Sequence, residues 1–235
     1  MVSSREAREA SGAAKPESVR PAPAKARLPS LIDSAVCGPV GLETEGRYDS
    51  FTLVGADLSR AIARHVEVTS ARLERLDLTG AELSDLVVRD AVVDRGDLSN
   101  LLAYRARLIR LELLGVRMTG VQIPDAVLSD VVFHEAKMDL AAFRSSRFRR
   151  VEFRGCNLVR ADFVGADVGG AAFVDCDLTG AQFSQVSASG ARFVHCRLDG
   201  IGGASSLRGA SVSSDEALAL AYVLARSLGI EIVDL

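Results

Sequence analysis

Ala161-Asp162-Phe163-Val164-Gly165-Ala166-Asp167-Val168-Gly169-Gly170 reads in fives: small residue, polar residue, large apolar residue, then two turn residues. The same frame runs from Phe51 to Gly200, thirty pentads without insertion or deletion. The third residue of every pentad is apolar, from Leu53 and Leu58 to Phe193 and Leu198. The first is apolar at every pentad except those beginning with Gly96 and Ser146. Of the twelve glycines in the stretch, ten hold the fifth place. A period kept this long marks a repeat architecture.

Five is neither the helix period nor the strand period. An apolar residue every five positions drifts around an α-helix and buries no face. Within one pentad, however, the first and third residues alternate with a polar second residue, which suits a short extended segment. The fourth and fifth residues then turn the chain, and glycine adopts the dihedrals such a turn needs. Extended steps and turns in succession wind a solenoid, its first and third side chains inward.

The bulky residues set the size of the coil. Phenylalanine holds the third place at 133, 143, 153, 163, 173, 183 and 193. Cysteine holds the first place at 156, 176 and 196. A four-sided coil of twenty residues stacks Phe133, Phe153, Phe173 and Phe193 on one side and Phe143, Phe163 and Phe183 on the opposite side. A fifteen-residue coil would break both columns. At about 4.8 Å between strands, the thirty pentads make a rod roughly 36 Å long. The stacked cysteines fit as small buried residues.

Ala56-Asp57-Leu58-Ser59-Arg60, Ala161-Asp162-Phe163-Val164-Gly165 and Cys176-Asp177-Leu178-Thr179-Gly180 resemble the repeat of the pentapeptide-repeat proteins, whose consensus is Ala-Asp/Asn-Leu-X-X. That resemblance covers about two thirds of the chain. It implies an all-β solenoid, a right-handed quadrilateral β-helix of seven to eight coils. It also implies a function in binding other proteins, since some members bind a type II topoisomerase and resemble duplex DNA in shape and negative charge.

The flanks depart from the period. Residues 1–27 are rich in Ala, Pro, Ser and scattered charge and lack aromatics, so a disordered tail is expected. Residues 28–50 carry Leu31, Ile32, Val36, Val40 and Leu42 among turn residues and fit an N-terminal cap, since a solenoid needs an atypical unit at its end. The β-helix is expected over 51–212. Residues 213–235 read as a helix and a short strand: Ser213 with Glu216 forms a capping box, and Gly229 stops the helix. Leu218, Leu220, Tyr222, Val223, Leu224 and Leu228 make that helix apolar on more than one face. One face would close the solenoid, and the other predicts a homodimer.

The chain has 235 residues, a net charge of −3 and four cysteines, too few for a disulfide scaffold. It shows no signal peptide and no run of eighteen apolar residues, so a cytoplasmic protein is expected. No catalytic constellation, cofactor site or metal site is legible: His65, His134 and His195 are scattered on turn positions, and the cysteines point inward. An enzyme is not expected. Two surface patterns remain. Asp57, Asp77 and Asp97 form an acidic column in second place. Arg107, Arg110, Arg144, Arg147, Arg149, Arg150 and Arg154 lie in a basic middle section and form a candidate anion patch. The same arginines also read as a solvated face, with Asp130 between Arg110 and Arg150 and Asp167 beside Arg147. Three functions follow: a rod presented to a protein partner, a topoisomerase among the candidates; a polyanion or nucleic-acid binder through the Arg107/Arg147 face; or a structural protein without a specific ligand.

Overall fold

The structure is a computed structural model that describes residues 21–28 and 41–231. Its strands are β1 (Arg47–Val54), β2 (Ile62–Arg64), β3 (Glu67–Glu74), β4 (Glu82–Ser84), β5 (Val87–Asp94), β6 (Arg107–Leu114), β7 (Val127–His134), β8 (Arg147–Arg154), β9 (Ala171–Val174), β10 (Arg192–Val194) and β11 (Ser211–Val212). One helix, α1 (Ala217–Ser227), follows.

Nine strands form one parallel sheet in the order β1-β3-β5-β6-β7-β8-β9-β10-β11, and β2 pairs β4 on another side. The register advances by twenty residues per coil: Phe51 faces Ala71, Ala91 faces Leu111, and Val131 faces Val151. Short parallel bridges continue the β2–β4 side through Leu102, Gln122 and Ala142 and mark one further column, Asp57–Asp77–Asp97. The molecule is therefore the four-sided solenoid that the phenylalanine spacing predicts.

Main-chain bonds hold successive coils together. The Leu58 N–H donates to Asp77 O at 2.8 Å, and the Asp77 N–H donates to Ala56 O at 2.9 Å. The side chains inside make a second ladder. Every third-place residue from Leu53 to Leu198 is buried except Leu73, which is half-buried. Phe153 stacks on Phe173 with centroids 4.9 Å apart and planes 4° apart, and Phe163 stacks on Phe183 at 5.0 Å and 3°. The two columns meet edge to face, as Phe163 does with Phe173 at 85°. Such pairs add about 0.5–1.5 kcal/mol each beyond their buried area. The polar first-place residue Ser146 is fully buried and satisfied: its hydroxyl donates to Ile123 O at 2.8 Å and accepts the Ala126 N–H at 3.0 Å.

The turn is the reason for the fifth-place glycines. Fifth-place residues have positive φ whether or not they are glycine, from 50° at Arg110 to 87° at Gly190. Gly170 is the exception, and it is held for another reason. A Cβ there would stand 2.4 Å from Phe148 O, so the main chains approach too closely for any side chain. At the same coil the pairing of β8 is interrupted: Val151–Arg154 meets Ala171–Val174, while its first half keeps a single bridge, from Arg147 to Asp167.

The solenoid begins before Phe51. Arg47, Tyr48 and Asp49 already pair with Glu67, Val68 and Thr69, and Glu45 and Ser50 already take the positive φ of fifth-place residues. The end of the expected cap at residue 50 therefore falls inside the first coil. Residues 29–40 of that cap lie outside the described residues.

Of the tail expected over residues 1–27, residues 1–20 lie outside the described residues, and the remainder is placed on the sheet. Residues 21–28 run extended across the sheet, with main-chain N–H groups donating to Asp130, Glu112 and Asp90. Composition argued for disorder because the segment buries little. The carboxylates that receive its main chain are distant in sequence, so composition could not show them.

At the other end, a single 3-10 turn (Ser214–Glu216) precedes α1, and Gly229 ends the helix at φ 74°. Glu216 does not reach back to the Ser213 N–H as a capping box would. It is buried, one carboxylate oxygen accepting the Cys196 N–H at 2.5 Å and the other the Ser213 hydroxyl. The carboxylate thus serves the last coil of the solenoid. Leu220, Val223 and Leu224 pack on the core, while Leu218, Tyr222 and Leu228 face outward. The strand expected after Gly229 has no counterpart at Ile230 or Glu231, and its remaining residues lie outside the described residues.

Candidate interaction surfaces

The acidic column forms as the spacing predicts. Asp57 bridges to Asp77, Asp77 to Asp97, and the column continues through Arg117 and Lys137. Each aspartate first serves its own turn. Oδ1 of Asp57, Asp77 and Asp97 accepts the main-chain N–H two residues on, from Ser59, Thr79 and Ser99, at 2.8–2.9 Å. This Asx turn explains why the second place favours Asp or Asn, and Asn157, Asp162, Asp167 and Asp177 repeat it. The hydrogen bonds from Ser59 hold the Asp57 carboxyl below its ordinary pKa. At Asp97 the other oxygen lies 3.6 Å from Arg117. The column is therefore a turn-forming device that also leaves a row of charges on the surface.

The arginine group separates into pairs and singles. Arg110 grips Asp90 with two bonds at 2.6 and 2.5 Å, and Arg150 grips Asp130 with two at 2.6 Å. Arg144 bonds Asp162 at 2.6 Å, and Arg154 bonds Glu152. Arg107 sits near Asp85, whose carboxyl is held down first by Arg105 and then by lesser charges that include Arg107. Arg147 and Arg149 are exposed and enter no ion pair among the described residues. Asp167 does stand beside Arg147 in the register, but its carboxylate binds the Gly169 N–H.

The same face carries an arrangement that sequence reading did not isolate. Asp90, Arg110, Asp130 and Arg150 occupy one fifth-place column, one residue per coil. Asp90 and Asp130 are buried to 8% and 7% exposure, which is rare for a carboxylate and is explained by the bidentate arginines. Those arginines are the first cause that holds both carboxyls below the ordinary aspartate range, against the opposing effect of burial. The Asp130 position between two arginines was legible in the spacing. Its second role, receiving the main chain of residues 21–28, was not.

Cys156, Cys176 and Cys196 are buried free thiols. Their Sγ atoms lie 3.4 Å from Phe133 O, Phe153 O and Phe173 O, so they fill the first-place column. His65 and His195 face Asp85 and Asp175 on outer corners at 3.9 and 3.4 Å. Among the described residues no cluster of His, Cys, Asp and Glu could hold a metal ion, and no helix is long and apolar enough to cross a membrane.

With this geometry in view, residues 107–183 match the family model described as the Pentapeptide repeat region. That stretch, a third of the chain, is a pentapeptide-repeat region within the longer solenoid. It is similar to the solved structure of QnrB1, a plasmid-mediated fluoroquinolone resistance protein, at 20% identity over 83% of this chain and 99% of that one, with a TM-score of 0.37. It is similar to HetL, a pentapeptide repeat protein involved in heterocyst differentiation regulation from the cyanobacterium Nostoc, at 18% identity over 75% and 90%, TM-score 0.36. Rfr23, from the cyanobacterium Cyanothece, is 13% identical over 59% and 88%, TM-score 0.29. No curated protein matches the chain.

Proposed function

We propose that this protein is a non-catalytic interaction module that presents a rigid rod to a protein partner, and that the partner is a type II topoisomerase. The observation that carries the reading is the row Asp57, Asp77 and Asp97, one carboxylate per coil on a regular outer face. A partner that binds duplex DNA offers a basic groove, and carboxylates placed where phosphates would sit can enter it. Residues 51–100 carry nine acidic and six basic groups, whereas residues 101–155 carry six acidic and ten basic. The contact is therefore confined to the amino-terminal coils. The test is a supercoiling assay with the gyrase of the native organism. Inhibition that weakens when Asp57, Asp77 and Asp97 are changed to Asn supports the reading, since Asn keeps the turn and removes the charge. Inhibition that survives the change rejects this mechanism, and an absence of inhibition rejects the topoisomerase.

A second reading, polyanion binding at the Arg107/Arg147 face, keeps the support of Arg147 and Arg149, whose guanidinium groups are not engaged by carboxylates among the described residues. Binding to nucleic acid that falls steeply with salt and is lost in Arg147→Gln/Arg149→Gln would favour it over the first.

We further propose a homodimer through α1. Leu218 is 69% exposed and Leu228 75%, an apolar face left over once Leu220, Val223 and Leu224 have closed the solenoid. Light scattering is expected to give twice the chain mass. Leu218→Glu/Leu228→Glu is expected to halve it without lowering the melting temperature of the rod. A full-length chain that is monomeric at tens of micromolar sinks the proposal.

A further inference from the structure

Residues Pro21 to Leu28 show how the broad sheet can hold another chain. The segment runs along the solenoid axis, across the strands. The Arg27 N–H donates to Asp90 Oδ1 at 2.9 Å, the Ala26 N–H to Glu112 Oε1 at 3.2 Å, and the Ala24 N–H to Asp130 Oδ1 at 2.9 Å. These acceptors belong to β5, β6 and β7, three successive coils. All three contacts read main chain, so they recognise an extended backbone. The geometry is commensurate. Three extended residues span about 10 Å, and two coils span about 9.6 Å. Two of the three acceptors are also fixed in advance, because Arg110 and Arg150 clamp Asp90 and Asp130. A receptor site built this way pays little ordering entropy on binding.

The track is longer than the described segment. Beyond Pro21 to Pro23 a groove of about 570 Å³ continues along the same line, past Arg150 and Glu152 to Gly170, Ala172 and Arg192. Its charge is graded. Asp90, Glu112 and Asp130 lie at one end, where Lys25 and Arg27 sit, and Arg150, Arg154 and Arg192 surround Glu152 at the other. The occupant itself is held loosely: Pro21, Ala22, Ala24, Lys25 and Arg27 are exposed.

We propose that β5–β8 form a docking track for an extended segment of a partner protein, one with small residues and prolines and with lysine or arginine toward its carboxyl end, and that residues 21–28 occupy this track in cis. A partner segment of that chemistry displaces them. The cis segment acts as a competitor at high effective concentration, so the track answers to partners that bring either high affinity or high local concentration.

The test uses the full chain and a fluorescently labelled peptide with the sequence of residues 15–28. Ala24→Pro/Ala26→Pro in the full chain removes two of the three donors and leaves every residue of the track unchanged. Fluorescence anisotropy is expected to show the peptide binding the variant at least tenfold more tightly than the unaltered chain. A peptide carrying the same two substitutions is expected to lose binding to both. Glu112→Ala in the variant background is expected to weaken the unaltered peptide. Equal affinity for the variant and the unaltered chain, or no binding to either at high micromolar concentration, overturns the proposal. Melting temperatures of the two chains check that the rod is intact. The assay contains neither topoisomerase nor nucleic acid, so its outcome is independent of the function proposed above.

Discussion

The coils before residue 130 and those after it share one backbone and differ in what fills it. Ala63, Leu83, Ala103 and Ile123 stand in the column that Phe143, Phe163 and Phe183 continue. Leu53, Leu58, Val68 and Leu78 keep 6–8% exposure, whereas Phe133 to Phe193 in both columns are fully buried. The register nevertheless advances by twenty residues in both halves. Coil geometry is therefore set by the main-chain ladder and the positive-φ turn. The size of the interior side chains sets how much stability each coil gains. An interior of stacked rings removes more apolar surface from water and adds ring contacts on top.

The comparison can be broken most directly at Phe163. Phe163→Asp is expected to prevent folding, because it places an unpaired carboxylate inside the ring columns. Unchanged melting behaviour would refute the register itself. Phe163→Ala is expected to cost about 4 kcal/mol and Leu78→Ala about 2 kcal/mol, both read by chemical denaturation. Equal costs would mean that the two halves are equally well packed.

Turn chemistry offers a second, smaller contrast. Gly180→Ala meets only a positive φ of 71° and ordinary contact with Arg160, so the expected loss is about 1 kcal/mol. Gly170→Ala drives a Cβ to within 2.4 Å of Phe148 O, and the expected loss is about 3 kcal/mol. Thermal melts of the two variants should differ in that order. The reverse order would show that small main-chain shifts relieve the close approach at 170 and that the left-handed conformation at 180 costs more.

The smallest effect expected is the dependence on acid. Arg110 and Arg150 depress the Asp90 and Asp130 pKa values in the folded state. A depressed carboxylate contributes its full stability above the ordinary aspartate value of about 3.9 and loses it as pH falls through the lower folded value. Melting temperature should therefore fall below about pH 4, and Asp90→Asn/Asp130→Asn should flatten that fall. The difference should be about 1 kcal/mol, near the upper end for partly exposed pairs. A double variant with the same acid limb would place the acid sensitivity elsewhere, in the amino-terminal acidic column for example.

The sequence by itself determined the rod. A pentad frame, phenylalanines ten apart and cysteines twenty apart leave one coil size that keeps like residues stacked, and a stacking rule needs no information from outside the repeat. It also determined the acidic column and the neighbours of Asp130, because both follow from adding twenty to a residue number. Tertiary structure decided what the periodicity does not encode. The frame is already running before Phe51, since Glu45 takes the fifth-place turn and Arg47 to Asp49 pair with β3 despite their weak match to the repeat. Glu216 turns inward, where its carboxylate receives the Cys196 main-chain N–H at the end of the rod, a pairing that the repeat does not encode. Residues 21–28 lie ordered on the sheet because Asp90, Glu112 and Asp130, between 63 and 106 residues away, accept their main chain. Local composition reports how much a segment can bury by itself. It carries no information on which distant carboxylates, two of them already clamped by arginine, accept its amide groups.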